Sequence, residues 1–296
     1  MVGVLTRCAS ASLIGRARAL TSFLAVHAAS WSLLVFSAGT VLSAVLQRHL
    51  LEETQTTQHL VEFNVGESFG LAAILSLMLS DAHERPTLAR SDVAVLLLSA
   101  LTWFVPEQHG VYLAMTLAGA WFLLKSRSDP RMVGIGQIWL ALSVYELWGK
   151  LLFKIAYQAI EVVEVGLIYQ VGRLFYGGLG VSGASLSVRS DWSIVILEGC
   201  SSFHNLSLTV LIWLSILKIA EQPALRAAFR ALGVSACLVV AINVSRLLLM
   251  LPSREAFIFW HDGAGSSLVA LASVVAAIAP ILTCVEGRTC QPSPRT

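Results

Sequence analysis

Three residues in this chain are of types that carry out acyl transfer, and each stands where its surroundings would sharpen that chemistry. Cys200, in Glu198-Gly199-Cys200-Ser201-Ser202, falls where a short apolar, strand-like run gives way to a long apolar helix. A thiol beside a helix N-terminus feels the positive end of the dipole, which favours the nucleophilic thiolate. Ser201 and Ser202 are residue types that cap the exposed amides there. Arg246, in Asn243-Val244-Ser245-Arg246, lies a few residues inside the end of another apolar segment. An arginine in such a place is costly and stands by default as a functional candidate. Its guanidinium suits the oxyanion of an acyl-transfer intermediate, and Asn243, one turn earlier on the same face, is placed to orient it. His261 follows Trp260 and is expected to open a further apolar segment, with Asp262, Gly263 and Gly265 behind it. An imidazole there can take a proton from a thiol and return it to a leaving amine. Each residue also has a plainer use: Cys200 as a small buried hydrophobe, Arg246 as a snorkelling cation, His261 as an interfacial histidine.

Weaker candidates surround these three. His204 lies one helical turn after Cys200, and Glu198 is near enough in sequence to orient a histidine or an arginine. Glu67 is expected inside an apolar segment, as are Glu146 and Lys150, whose i,i+4 spacing predicts an ion pair. His27, His49, His59, His83 and His109 have no partner spacing, and the five cysteines form no CxxC pair and no metal-type pattern. The sequence therefore predicts neither a metal nor another cofactor.

The elements that must position these groups follow from composition. Of 296 residues 56% are hydrophobic and 13% charged, with a mean hydropathy of +0.75. Soluble domains carry about 25% charged residues, so the deficit predicts an all-α polytopic membrane protein, because long continuous apolar runs cross a bilayer as helices. The net charge of +2 gives no reason to expect a nucleic-acid partner. Apolar segments at 21–46, 64–80, 92–106, 109–124, 132–153, 201–217, 231–251 and 262–283 predict eight spans, the third and fourth being a short hairpin. Arg7, Arg16 and Arg18 precede the first run, which is too long for a signal-peptide core and is expected to be retained.

Orientation rests on Lys and Arg. With the N-terminus inside, thirteen of the twenty fall in inside segments, six fall outside, and Arg246 lies within the membrane. Both termini are then cytoplasmic, and Cys200, Arg246 and His261 share the outer side. Between the fifth and sixth spans, 154–199 forms one external insertion in an otherwise single integral membrane domain, 1–296. Ile155 to Tyr176 predicts an amphipathic interfacial helix. Gly177-Gly-Leu-Gly180 breaks it, and Leu186 and Val188 alternating with Ser185, Ser187 and Arg189 predict one strand. After a turn at Ser190-Asp191, Ile194 to Leu197 predicts a second, completing a hairpin. Residues 287–296 are expected to be a disordered cytoplasmic tail.

With its strand-like approach to Glu198-Gly-Cys200-Ser, then Asn243-x-x-Arg246, then His261-x-x-x-Gly265, the chain resembles the exosortase/archaeosortase family over its last third. The resemblance implies a membrane cysteine protease or transpeptidase with catalytic Cys200, Arg246 and His261. Its substrates would be exported proteins with a C-terminal sorting signal of Pro-Glu-Pro type, one helix and a basic cluster. Cleavage would pass through a thioester resolved by a second nucleophile, attaching the protein to a lipid or surface acceptor. Many members continue after the cysteine with Ser-Gly and a nearby arginine, whereas Ser201-Ser202-Phe203-His204-Asn205 stands here. Readings from other classes are a transporter, with Arg246, Glu67 and Glu146 lining a path, and a non-catalytic scaffold for surface-polymer assembly.

Overall fold

The computed structural model describes residues 28–47, 64–80, 87–105, 110–125, 129–189, 191–196 and 201–289. Helices dominate: α1 (Ala28–Gln47), α2 (Val65–Leu79), α3 (Arg90–Ala100), α4 (Leu113–Lys125), α5 (Pro130–Ser143), α6 (Gly149–Gly172), α7 (Ser202–Ile219), α8 (Arg226–Met250), α9 (Arg254–His261) and α10 (Ala264–Thr289). Four of them, α1, α7, α8 and α10, are long and apolar enough to cross a membrane. At 1.5 Å per residue, a bilayer core of about 30 Å asks for roughly 20 residues, which the 15 residues of α2 and the 13 of α4 do not reach. Residues 287–289 of the expected tail belong to α10, which runs to Thr289, and 290–296 lie outside the described residues.

Two compact units emerge, one from residues up to 60 with 74–139, the other from 61–73 with 140–296. In the first, indoles tie the helices together. Trp139 Nε1 donates to Ser37 Oγ at 2.9 Å and Trp103 Nε1 to Thr40 Oγ1 at 3.0 Å. Trp139 packs on Phe36 and Phe122. The expected hairpin of the third and fourth segments is α3 against α4, clipped by Lys125 Nζ on Asp92 Oδ1 at 2.7 Å.

In the second unit, residues 140–143 at the end of α5 pass without interruption through a π turn, Val144–Trp148, into α6. The extra residue of a π turn lets two adjacent side chains, Tyr145 and Glu146, both be buried. A Cβ at Gly149 would lie 2.7 Å from the carbonyl of Val144, so only glycine fits where the turn closes. The backbone leaves helical geometry at Ala156 (φ −99°, ψ 15°), close to where the fifth segment was expected to end and the interfacial helix to begin. Beyond it Val162 and Val163 are 72% and 70% exposed, while Val165 and Ile168 face inward.

Three antiparallel strands follow, β1 (Gly180–Ser182), β2 (Ser185–Arg189) and β3 (Trp192–Val195), in the order β1-β2-β3. The expected hairpin is β2 with β3, Leu186 facing Ile194, and β1 is an addition to it. Gly183, at φ 58°, supplies the positive dihedral that a two-residue turn between β1 and β2 requires. Leu186, Ile194 and Ile196 bury themselves with Val165 and Ile168 of α6 and with Val244, Leu247 and Leu248 of α8. The sheet thus caps the end of α8 that carries Arg246. Helices α7, α8 and α10 form an antiparallel bundle, held by apolar packing and by Trp213 Nε1 on the Ala228 carbonyl and Ser235 Oγ on the Ala277 carbonyl.

Candidate functional site

Helix α7 begins where its cap dictates: Ser201 Oγ accepts Phe203 N at 3.1 Å. Its first amide, Ser202 N, donates to Glu164 Oε1 of α6 at 2.6 Å. Asn243 of α8, 3% exposed, donates Nδ2 to Ser202 Oγ at 3.0 Å. The first turn of α7 is therefore gripped from two sides.

One turn beyond Asn243, Arg246 is half-buried and donates Nε to the Trp260 carbonyl of α9 at 3.1 Å. Its terminal nitrogens have no hydrogen-bond partner among the described residues. Trp260 precedes His261. The sequence expects His261 to open the last span, but it closes α9, and α10 starts at Ala264. Ser253 makes this short helix possible, its Oγ accepting Ala256 N at 3.2 Å. Gly265 then lets α10 approach closely, since a Cβ there would lie 2.7 Å from the Trp260 ring and 2.8 Å from the Phe259 carbonyl.

The His261 ring stacks on Phe257 with centroids 4.7 Å apart, and its Nδ1 lies 2.7 Å from Asp262 Oδ1. In the neutral imidazole, a carboxylate at Nδ1 favours the tautomer that leaves Nε2 as the acceptor. Nε2 has no partner among the described residues.

Of the three principal sequence candidates, the structure brings Arg246 and the His261 helix together through the Trp260 carbonyl. It ties the turn carrying Arg246 to Ser202. Cys200 lies outside the described residues, as do Glu198, His27, His49, His59, His83 and His109. Glu164 was legible in the sequence only as a polar residue on an amphipathic helix. The signal that could have singled it out is a carboxylate on an apolar helix before a helix start rich in serine.

A second polar cluster surrounds the π turn. The expected pair forms, with Lys150 Nζ 3.3 Å from Glu146 Oε2, and Asn64 Nδ2 donates to Glu146 Oε1. Asn64 also caps α2 through Gly66 N at 3.0 Å. His204 stacks on Tyr145 at 4.6 Å and, with Gly149, Lys150, Phe153 and Phe203, lines a shallow cleft. Glu67 is buried in α2. Cys237 and Cys284 are free thiols, and among the described residues no group of three His, Cys, Asp or Glu is placed to hold a metal. In comparisons with known proteins, no family model, curated protein or solved structure matches this chain.

Proposed function

We propose that the chain is an exosortase-like membrane cysteine protease or transpeptidase acting on exported proteins with a C-terminal sorting signal. The observation that carries this reading is the pair of hydrogen bonds from one helical turn. Asn243 reaches Ser202 at the start of α7, two residues after Cys200, and Arg246 reaches the carbonyl beside His261. One turn of α8 thus links Ser202, two positions after Cys200, with the carbonyl that precedes His261.

In this reading the Cys200 thiolate attacks the scissile carbonyl, and the guanidinium nitrogens of Arg246 receive the oxyanion. His261 accepts the thiol proton at Nε2 and delivers it to the departing amine, leaving a thioester. A second nucleophile, from a lipid, a surface acceptor or water, restores the thiol. The finer topology belongs to the same proposal: eight spans in the cell membrane, both termini cytoplasmic, and the site on the outer face. Incubating the full-length chain in membranes with a tail-bearing substrate and trapping a hydroxylamine-labile adduct tests it. Mass spectrometry should locate the adduct on Cys200, and an adduct elsewhere contradicts the mechanism.

A transporter reading draws on a different observation, the buried Glu67 and the Glu146–Lys150 pair on a π turn, a feature frequent at functional sites. It expects Glu146→Gln to abolish function while Cys200→Ala leaves it intact, the reverse of the enzyme reading.

A further inference from the structure

Phe257 and His261 are four residues apart on α9, so their side chains rise from one face of the helix. Their rings are inclined by only 15°, with centroids 4.7 Å apart. The other ring partner of Phe257 is Trp192 of β3, which meets it edge to face at 5.8 Å and 64°. Trp192 makes no ring contact with His261 among the described residues. An aromatic file therefore runs from the sheet through Phe257 to the imidazole.

The file supplies what the rest of α9 lacks. Eight residues make little more than two helical turns, too few for a helix to hold itself in water. The place of α9 is set by packing, and Phe257 and Trp260 are the residues that it lays against the cluster of Leu186, Ile194, Val244 and Leu247. The contact between His261 Nδ1 and Asp262 Oδ1 lies in the open, with side chains 35% and 67% exposed. An exposed pair of this kind is screened and loosely held. One contact at one nitrogen also leaves the imidazole free to swing about it. A flat face against the ring removes that freedom, and aromatic pairs of this geometry attract beyond their buried area.

We propose that Phe257 is a positioning residue for His261. It sets the plane of the imidazole, keeps Nδ1 on Asp262, and takes its own orientation from Trp192. The three-stranded sheet thereby acts, through Phe257, on the group that serves as base in the enzyme reading. The purpose of the arrangement rests on that reading; its test does not.

The experiment places the full-length chain, with isotope-labelled histidine rings, in phospholipid nanodiscs at about pH 9, above the ordinary histidine range. Comparison with the His261→Gln spectrum identifies the His261 signals. Ring nitrogen shifts report how the two neutral tautomers divide, and ring proton shifts report the stacked face of Phe257. In wild type the Nδ1–H form should dominate, with the ring protons shifted upfield. Phe257→Leu fills the space without a flat face. It should lower the ratio of Nδ1–H to Nε2–H by about 3–10-fold and abolish the upfield shift. Phe257→Tyr keeps the ring and should match wild type, which tells loss of the flat face apart from damage by any change at 257. Trp192→Leu should move the ratio in the same direction by a smaller factor. An unchanged ratio in Phe257→Leu, an equal change in Phe257→Tyr, or no change in Trp192→Leu overturns the proposal. The measurement needs no substrate, so it holds or fails apart from the processing activity.

Discussion

Two polar clusters interrupt the apolar helices of the second unit, and they are built differently. Around the π turn, Glu146 receives both Asn64 and Lys150, and Asn64 in turn caps α2. At the bundle end, Arg246 and His261 each make one side-chain hydrogen bond among the described residues, through one nitrogen. A polar group in an apolar setting stabilises a fold when its partners are internal, and it serves a ligand when its bonding capacity is left over. Under the proposed reading the first cluster is architectural and the second carries the chemistry.

The largest separation between the two is expected from single substitutions. Arg246→Ala should lower substrate processing by about 10²–10³-fold, as for loss of an oxyanion donor, with the protein still folded. Glu146→Ala should leave per-molecule turnover within a few-fold yet destabilise the chain by about 3 kcal/mol, the low end for a broken buried pair because Lys150 reaches solvent. Thermal unfolding in detergent and initial processing rates at matched protein levels check both. The opposite pattern would exchange the roles of the clusters.

Next in size is Gly265→Ala. Its methyl would meet the Trp260 ring and the Phe259 carbonyl, and overpacking of this kind costs about 1–3 kcal/mol. Because Trp260 also receives Arg246, activity should fall more than stability does. Asn243→Ala removes the donor to Ser202 and should cost about 1–3 kcal/mol for the buried partner left behind; hydrogen exchange should show early opening of the first turn of α7.

How much was legible in advance follows the same division. The long helices α7, α8 and α10, and the pairing of β2 with β3, could be read because hydropathy and alternation extend over many residues. Arg246 stood out because charge is rare there. The π turn could not be read, since one extra residue in a helix leaves composition unchanged. Strand β1 hid in the glycine-rich break, and α9, eight residues long, fell unassigned between the expected spans 231–251 and 262–283, so that His261, expected at a helix start, closes a helix instead. Glu164 was visible as a residue but not as a contact, because its partner is a backbone amide 38 positions away.

The smallest effect sharpens the account of α9. Hydrogen bonds from the Ser253 side chain and from its own backbone amide hold the Glu255 carboxyl below its usual range. Its contribution is therefore complete above the ordinary carboxylate range and is lost as pH falls through the lowered folded value. Amide exchange in the first turn of α9 should rise on acidification, and Ser253→Ala, costing about 1 kcal/mol for a lost cap, should remove most of that dependence.

The most direct test of the central claim is processing of a co-expressed exported protein, from the same genome, that carries a sorting motif, one helix and a basic tail. Wild type is compared with Cys200→Ala, Arg246→Ala and His261→Ala at matched membrane levels. The account predicts shortening of the substrate by wild type and none by Cys200→Ala, with Arg246→Ala and His261→Ala strongly impaired. Continued shortening by Cys200→Ala would contradict it.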